Sequence, residues 1–166
     1  MRMINKLTTT IAFGAALMLA ACTGEPPDAE APAPGGAPTS TLDPASVAYF
    51  QQTVGDRVFF ETDSTRLTQA GQQTLIRQAE WLAQNPGVNA VIEGHADERG
   101  TREYNLALGA RRAEAARSYL AAQGVAASRL STISYGKERP EALCSAESCW
   151  SENRRAVTVI AGAPTS

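Results

Sequence analysis

Apolar residues recur at intervals of three and four between positions 68 and 84. There Leu75, Ile76, Ala79, Leu82 and Ala83 fall on one side of a helix. The spacing returns over 101–122, where Leu106, Ala110, Ala113, Ala116 or Arg117, and Leu120 line the predicted inward face. Short runs around these helices fit strands at 57–60, 88–93, 130–135 and 155–161. Gly55, Asn85-Pro86-Gly87 and Gly124 supply the stops. A leading helix over 45–53 is expected, with Asp43 as cap and Pro44 in the first turn, and 136–149 reads as loop. After the leading helix the order is β-α-β-α-β-β. It predicts an α+β two-layer sandwich, with helices packed on one face of a small mixed four-stranded sheet.

Before residue 44 the pattern changes. Arg2 and Lys6 precede an apolar run from Leu7 to Ala21, too short and too rich in small residues to span a bilayer comfortably. Residues 1–21 therefore read as an export signal, with an N-terminal membrane helix as the alternative. Leu19-Ala20-Ala21-Cys22 resembles the lipobox of bacterial lipoproteins, which implies acylation at Cys22 and attachment to a membrane through the acyl chains. Each buried methylene adds about 0.8 kcal/mol, so several chains hold firmly where one is marginal. Thr23 stands next where an aspartate is absent, which by the same resemblance implies the outer membrane. Residues 22–43 are rich in Pro, Ala, Gly and Thr, cannot bury enough apolar surface to fold, and read as an extended tether. The folded domain is expected over 44–166.

Charge and composition narrow the function. The chain has 166 residues, 43% of them hydrophobic, which suits one domain. Without Arg2 and Lys6 it carries 13 Lys+Arg against 17 Asp+Glu, which leaves no electrostatic footprint for nucleic acid. Apart from Cys22, Cys144 and Cys149 remain, and in an exported protein they read as a disulfide staple. A redox or zinc pair is the alternative, although the spacing is not C-x-x-C. His95 is the sole histidine, so a metal or nucleophile site lacks partners, and it reads as a structural residue hydrogen-bonded to its loop. No cofactor motif occurs. The glycines at 94 and 100 are too far apart for a phosphate loop of Walker type, and Thr101 stands where its lysine belongs.

What remains is the stretch Val91-Ile92-Glu93-Gly94-His95-Ala96-Asp97-Glu98-Arg99-Gly100-Thr101 and the helix after it. A strand ends in a loop bracketed by Gly94 and Gly100, where the chain can turn tightly and a ligand can approach. The loop offers Asp97; the helix offers Arg111 and Arg112, about 100° apart on its surface and so unable to do one job. Asn105 lies nearly two turns earlier and can flank the same mouth. A carboxylate and a guanidinium held apart form a receptor for a small zwitterion; in the alternative they form an ordinary surface ion pair.

Gly94-His95-Ala96-Asp97-Glu98-Arg99-Gly100-Thr101, Tyr104-Asn105, Leu108-Gly109, Arg111-Arg112-Ala113 and Asn153-Arg154-Arg155-Ala156 together resemble the OmpA-like domain family. The lipobox and tether resemble its lipoprotein members. The resemblance implies a non-enzymatic, non-covalent hold on peptidoglycan. Asp97 would take the ammonium of diaminopimelate in a stem peptide, and Arg112 its carboxylate. Asn105 and the backbone around Thr101 would complete the pocket, with Phe60 and Leu108 as wall. It further implies an outer-membrane protein facing the periplasm, partnered by TolB and other Tol proteins during envelope constriction. Two departures stand out: Glu61 replaces an aspartate that many relatives carry, and segment 143–150 holds the cysteine pair. Replacing Asp97 or Arg112 by alanine is expected to abolish binding while stability barely moves. A cell-wall hydrolase, or a module that binds only a protein partner, are the rival readings.

Overall fold

In the computed structural model, which describes residues 42–161, four strands form one sheet: β1 (Arg57–Phe59), β2 (Asn89–His95), β3 (Leu130–Gly136) and β4 (Arg155–Ala161). Their order is β1-β4-β2-β3, with β2 and β3 parallel and β4 antiparallel to both neighbours. The last strand is thus inserted between the first two. The helices are α1 (Val47–Tyr49), α2 (Gln69–Gln84), α3 (Arg102–Ala122) and α4 (Glu147–Asn153). The mixed sheet and the helical layer are those the periodicity predicts. The expected signal segment, Cys22 and most of the tether lie outside the described residues.

Register explains the core. Val58, Ala156 and Gly94 stand side by side across β1, β4 and β2, and Ile92 faces Thr158 two residues on. On these rows pack Leu75 and Leu82 of α2 and Ala113, Ala116 and Leu120 of α3, all buried. One polar pair crosses the core without cost in unmet hydrogen bonds. The Thr158 hydroxyl donates to Gln78 Oε1 at 2.8 Å, and Gln78 Nε2 donates to the Gly55 carbonyl at 2.7 Å.

The inward face of α3 differs from the expected one. Leu106 is 48% exposed and Ala110 is exposed, while Asn105, Leu108, Gly109 and Arg112 are buried. The cause is a backbone-to-backbone contact. A Cβ on Gly94 would stand 1.8 Å from the Gly109 carbonyl oxygen, and one on Gly109 2.5 Å from Ser134 Oγ. Close approach at Gly109 rotates α3 so that positions 105, 108, 112, 113, 116 and 120 face the sheet. Gly94 therefore serves packing inside β2 rather than the turn. Gly100, at φ 90, does provide the turn. On α2 the buried face takes in Gln78 and Trp81, and Ala83 is exposed.

Two further boundaries move. The leading helix begins at Val47, capped by Ser46, whose hydroxyl accepts from the Tyr49 amide; Asp43 instead caps a turn at Ala45. Within the expected loop, the chain forms the disulfide Cys144–Cys149, with Cα atoms 5.6 Å apart, and then α4. Asn153 holds that segment down through the amides of Glu141 and Ala142 and the carbonyl of Ala142.

Candidate functional site

Strand β2 ends at His95, and the chain leaves the sheet with the Ala96 amide donating to the Gly136 carbonyl. This delivers Asp97, 7% exposed, to the rim of a cleft of about 280 Å³. Thr62, Asp63, Asp97, Arg99, Gly100, Tyr104, Asn105 and Leu108 line it. A larger groove of about 440 Å³ lies alongside, lined by Phe59, Phe60, Glu61 and Arg154 among others. The smaller cleft is the candidate site because it alone of the two contains the Asp97 carboxylate.

Asp97 is already engaged. Arg99 donates to it three times: from its amide and Nε to Oδ1, each at 3.1 Å, and from a terminal nitrogen to Oδ2 at 2.6 Å. Arg154, itself 3% exposed, adds a longer contact to Oδ2 at 3.4 Å. Burial alone would raise the carboxyl's pKa, but the Arg99 hydrogen bonds outweigh it and hold the group below the usual aspartate range. Asp97 is therefore an ionised, nearly buried anion at a cleft wall.

Arg112 lies deeper. None of its surface is exposed, and it is not among the residues lining the cleft. Its Nε donates to the Ser64 carbonyl at 2.9 Å, and its terminal nitrogens to His95 at 2.9 Å and Glu61 at 3.2 Å. The guanidinium carbon sits 5.2 Å from the Phe60 ring centroid. Burial pushes its pKa down to about 10, opposed by the nearby charge of Asp97. Among the described residues three of its five donors are used, which leaves two. Arg111, one position away, is exposed, so the two arginines do have separate roles. This geometry corrects the expectation that Arg112→Ala leaves stability unchanged. Three carbonyls in β2 and the loop after β1 would lose their partner.

The other named residues have legible tasks. Thr101 caps α3, its hydroxyl accepting from the Tyr104 amide at 3.2 Å. Asn105, 1% exposed, donates to the Arg99 carbonyl at 2.8 Å and so fixes the loop against the helix. Leu108 is a buried wall of the cleft, and Phe60 lies under Arg112 and lines the neighbouring groove. Glu61 meets Arg112 through its main chain, so its side-chain length does not affect that contact. His95 is buried at 2% exposure as expected, but the expected hydrogen bond is absent. Neither ring nitrogen has a partner among the described residues, and Glu93 lies 3.8 Å from Nε2. Desolvation first, then the charge of Arg155, lowers its pKa to about 4.

Sequence spacing gave no role to Arg99, Asp63 or Arg154. A local signal existed for the first: an aspartate at a loop start commonly binds the amide two positions on, here Arg99. Asp63 sits at φ 52, an uncommon conformation for a residue other than glycine, and accepts from the Tyr104 hydroxyl across the mouth. Arg154 is 57 residues from Asp97, beyond any local rule.

A match to the OmpA family covers residues 59–154. The peptidoglycan-associated lipoprotein of Agrobacterium fabrum is 55% identical over 98% of this chain and 93% of that protein. That of Brucella melitensis is 59% identical over 72% of this chain and 71% of its own. Among solved structures, the peptidoglycan-associated lipoprotein of Burkholderia pseudomallei aligns with a TM-score of 0.66 at 39% identity, over 72% of this chain and all of that one. The C-terminal domain of Helicobacter pylori MotB, at 24% identity and a TM-score of 0.60, shares the fold.

Proposed function

The chain belongs to the OmpA family and within it to the peptidoglycan-associated lipoproteins, and from that premise we propose that the cleft binds the diaminopimelate residue of a peptidoglycan stem peptide. The observation that carries this reading is the anion itself: Asp97 is ionised, nearly buried and at the wall of a cleft of about 280 Å³. A buried carboxylate holds cations, here Arg99 and Arg154, and the side-chain ammonium of diaminopimelate competes for the place of the more exposed Arg99. The carboxylate beside that ammonium is drawn by the positive charge of Arg112, which lies buried behind the cleft wall with Phe60 against it. Asn105 and the cap at Thr101 hold the loop that shapes the seat, and Leu108 packs against the aliphatic chain of the ligand. Binding is non-covalent, and the family is one of binding lipoproteins rather than enzymes.

On this reading the chain is anchored in the outer membrane by acylation of Cys22 and reaches the wall across the proline-rich tether. It works there with TolB and the other Tol proteins in envelope integrity and division. The test is retention on purified sacculi. Wild type sediments with them, and Asp97→Asn, which keeps the side chain's shape and removes its charge, loses at least about tenfold in affinity. Equal sedimentation of both would exclude Asp97 as the ligand's seat.

A further inference from the structure

Asp97 is shielded by a device built on α4. The exposed side of Arg99 lies against the Trp150 ring, with the guanidinium carbon 4.3 Å from the centroid. The indole N–H of Trp150 donates to Glu98 Oε1 at 3.0 Å, which ties the ring to the loop that carries Asp97. One turn earlier on α4, Glu147 accepts from Arg154, the second cation on Asp97. Both arginines that face the carboxylate are thus held by side chains of one seven-residue helix. So short a helix has little stability of its own. Cys149 belongs to it and Cys144 precedes it, so their bridge pins its first turn.

We propose that α4 is a gate on the cleft: Trp150 is a positioning residue that keeps Arg99 seated on Asp97, where a ligand ammonium must sit, and the Cys144–Cys149 bridge keeps Trp150 in place. The inference rests on the proposed function for the identity of the competing cation. The two arginines differ in a way that assigns the moving part. The Arg154 side chain is 4% exposed and also bonds the Phe60 carbonyl at 3.0 Å, so it stays. The Arg99 side chain is 39% exposed and, among the described residues, beyond Asp97 and Trp150 it hydrogen-bonds only Thr62 Oγ1 at 3.4 Å, so it can leave. Its amide remains on Asp97 Oδ1 when the side chain swings out, and the loop keeps its shape. Apparent affinity equals intrinsic affinity scaled by the open fraction, so a firmer gate weakens binding.

The direction of the effect separates this gate from a structural role. Removing packing near a site ordinarily weakens binding; removing the gate tightens it. With the full chain in detergent and a soluble diaminopimelate-containing stem peptide, Trp150→Ala binds about fivefold tighter than wild type. Trp150→Phe, which keeps an aromatic face for Arg99, stays close to wild type. The double variant Cys144→Ser, Cys149→Ser tightens about two- to threefold, in the same direction. In parallel, the Arg99 Nε proton exchanges slowly with water in wild type and Trp150→Phe and quickly in Trp150→Ala. Unchanged or weaker affinity in Trp150→Ala, or an Arg99 proton equally protected in every variant, overturns the gate. Should wild type bind no peptide at all, the proposed function falls, and the Arg99 proton still decides the gate.

Discussion

A guanidinium with no surface in water must find its partners inside the protein, and Arg112 finds three main-chain carbonyls. Lysine cannot reproduce that fork. Arg112→Lys is therefore expected to cost roughly 3 kcal/mol in urea denaturation, with circular dichroism of the native state unchanged. His95 makes a second demand. Its folded pKa of about 4 lies below the ordinary histidine value, so between the two the unfolded chain holds a proton that the folded chain does not. Stability contributed by the neutral ring is complete above about pH 6.5 and falls by roughly 3 kcal/mol at most as pH drops toward 4. Asp97, held below the usual range, stays ionised through that window and contributes its loss only at lower pH. Urea midpoints should fall with acidification in wild type and hold steadier in His95→Gln. At this scale the sequence was informative about identity and silent about depth. The loop position of Asp97 and the flanking place of Asn105 follow from spacing, because both depend on a strand end and a helical turn. Spacing fixes the angle between Arg111 and Arg112 but not how far either sinks, and only the packing of α3 puts Arg112 under the site.

That packing belongs to the scale of elements, and it depends on two glycines. Gly94 on β2 and Gly109 on α3 touch through their backbones, with no space for a Cβ on either. Gly94→Ala would place a carbon 1.8 Å from the Gly109 carbonyl oxygen, so the helix must move off the sheet. The variant should lose at least about 2 kcal/mol in denaturation or fail to accumulate as soluble protein. Gly87→Ala, with nothing among the described residues within 4 Å of the added carbon, should be close to neutral. The same contact explains why helical periodicity found α3 but misread its buried side. Apolar spacing counted Leu106 and Ala110, whereas backbone contact at Gly109 buried Asn105 and Arg112. The four strands were legible because each is a short apolar run between turn residues. Helix α4 was not, since Glu147-Ser148-Cys149-Trp150-Ser151-Glu152-Asn153 has no apolar stripe and is held by a disulfide and by Asn153.

For the whole molecule, sheet register and the α3 contact together carry an acid from a strand end and an arginine from a helix to the same region, with a cleft beside the acid. On the proposed function, a lipid-anchored domain with such a seat would hold two layers of an envelope together without making a covalent bond to either the wall or its partners. If the proposed function holds, the seat must distinguish diaminopimelate from lysine, which offers the same ammonium but lacks the neighbouring carboxylate. The decisive measurement is calorimetric titration of the full chain in detergent with two soluble stem peptides that differ only at that residue. Saturable binding of the diaminopimelate peptide, at least about tenfold tighter than the lysine peptide, is the predicted result. Equal affinity for the two, or no binding to either, would contradict the account.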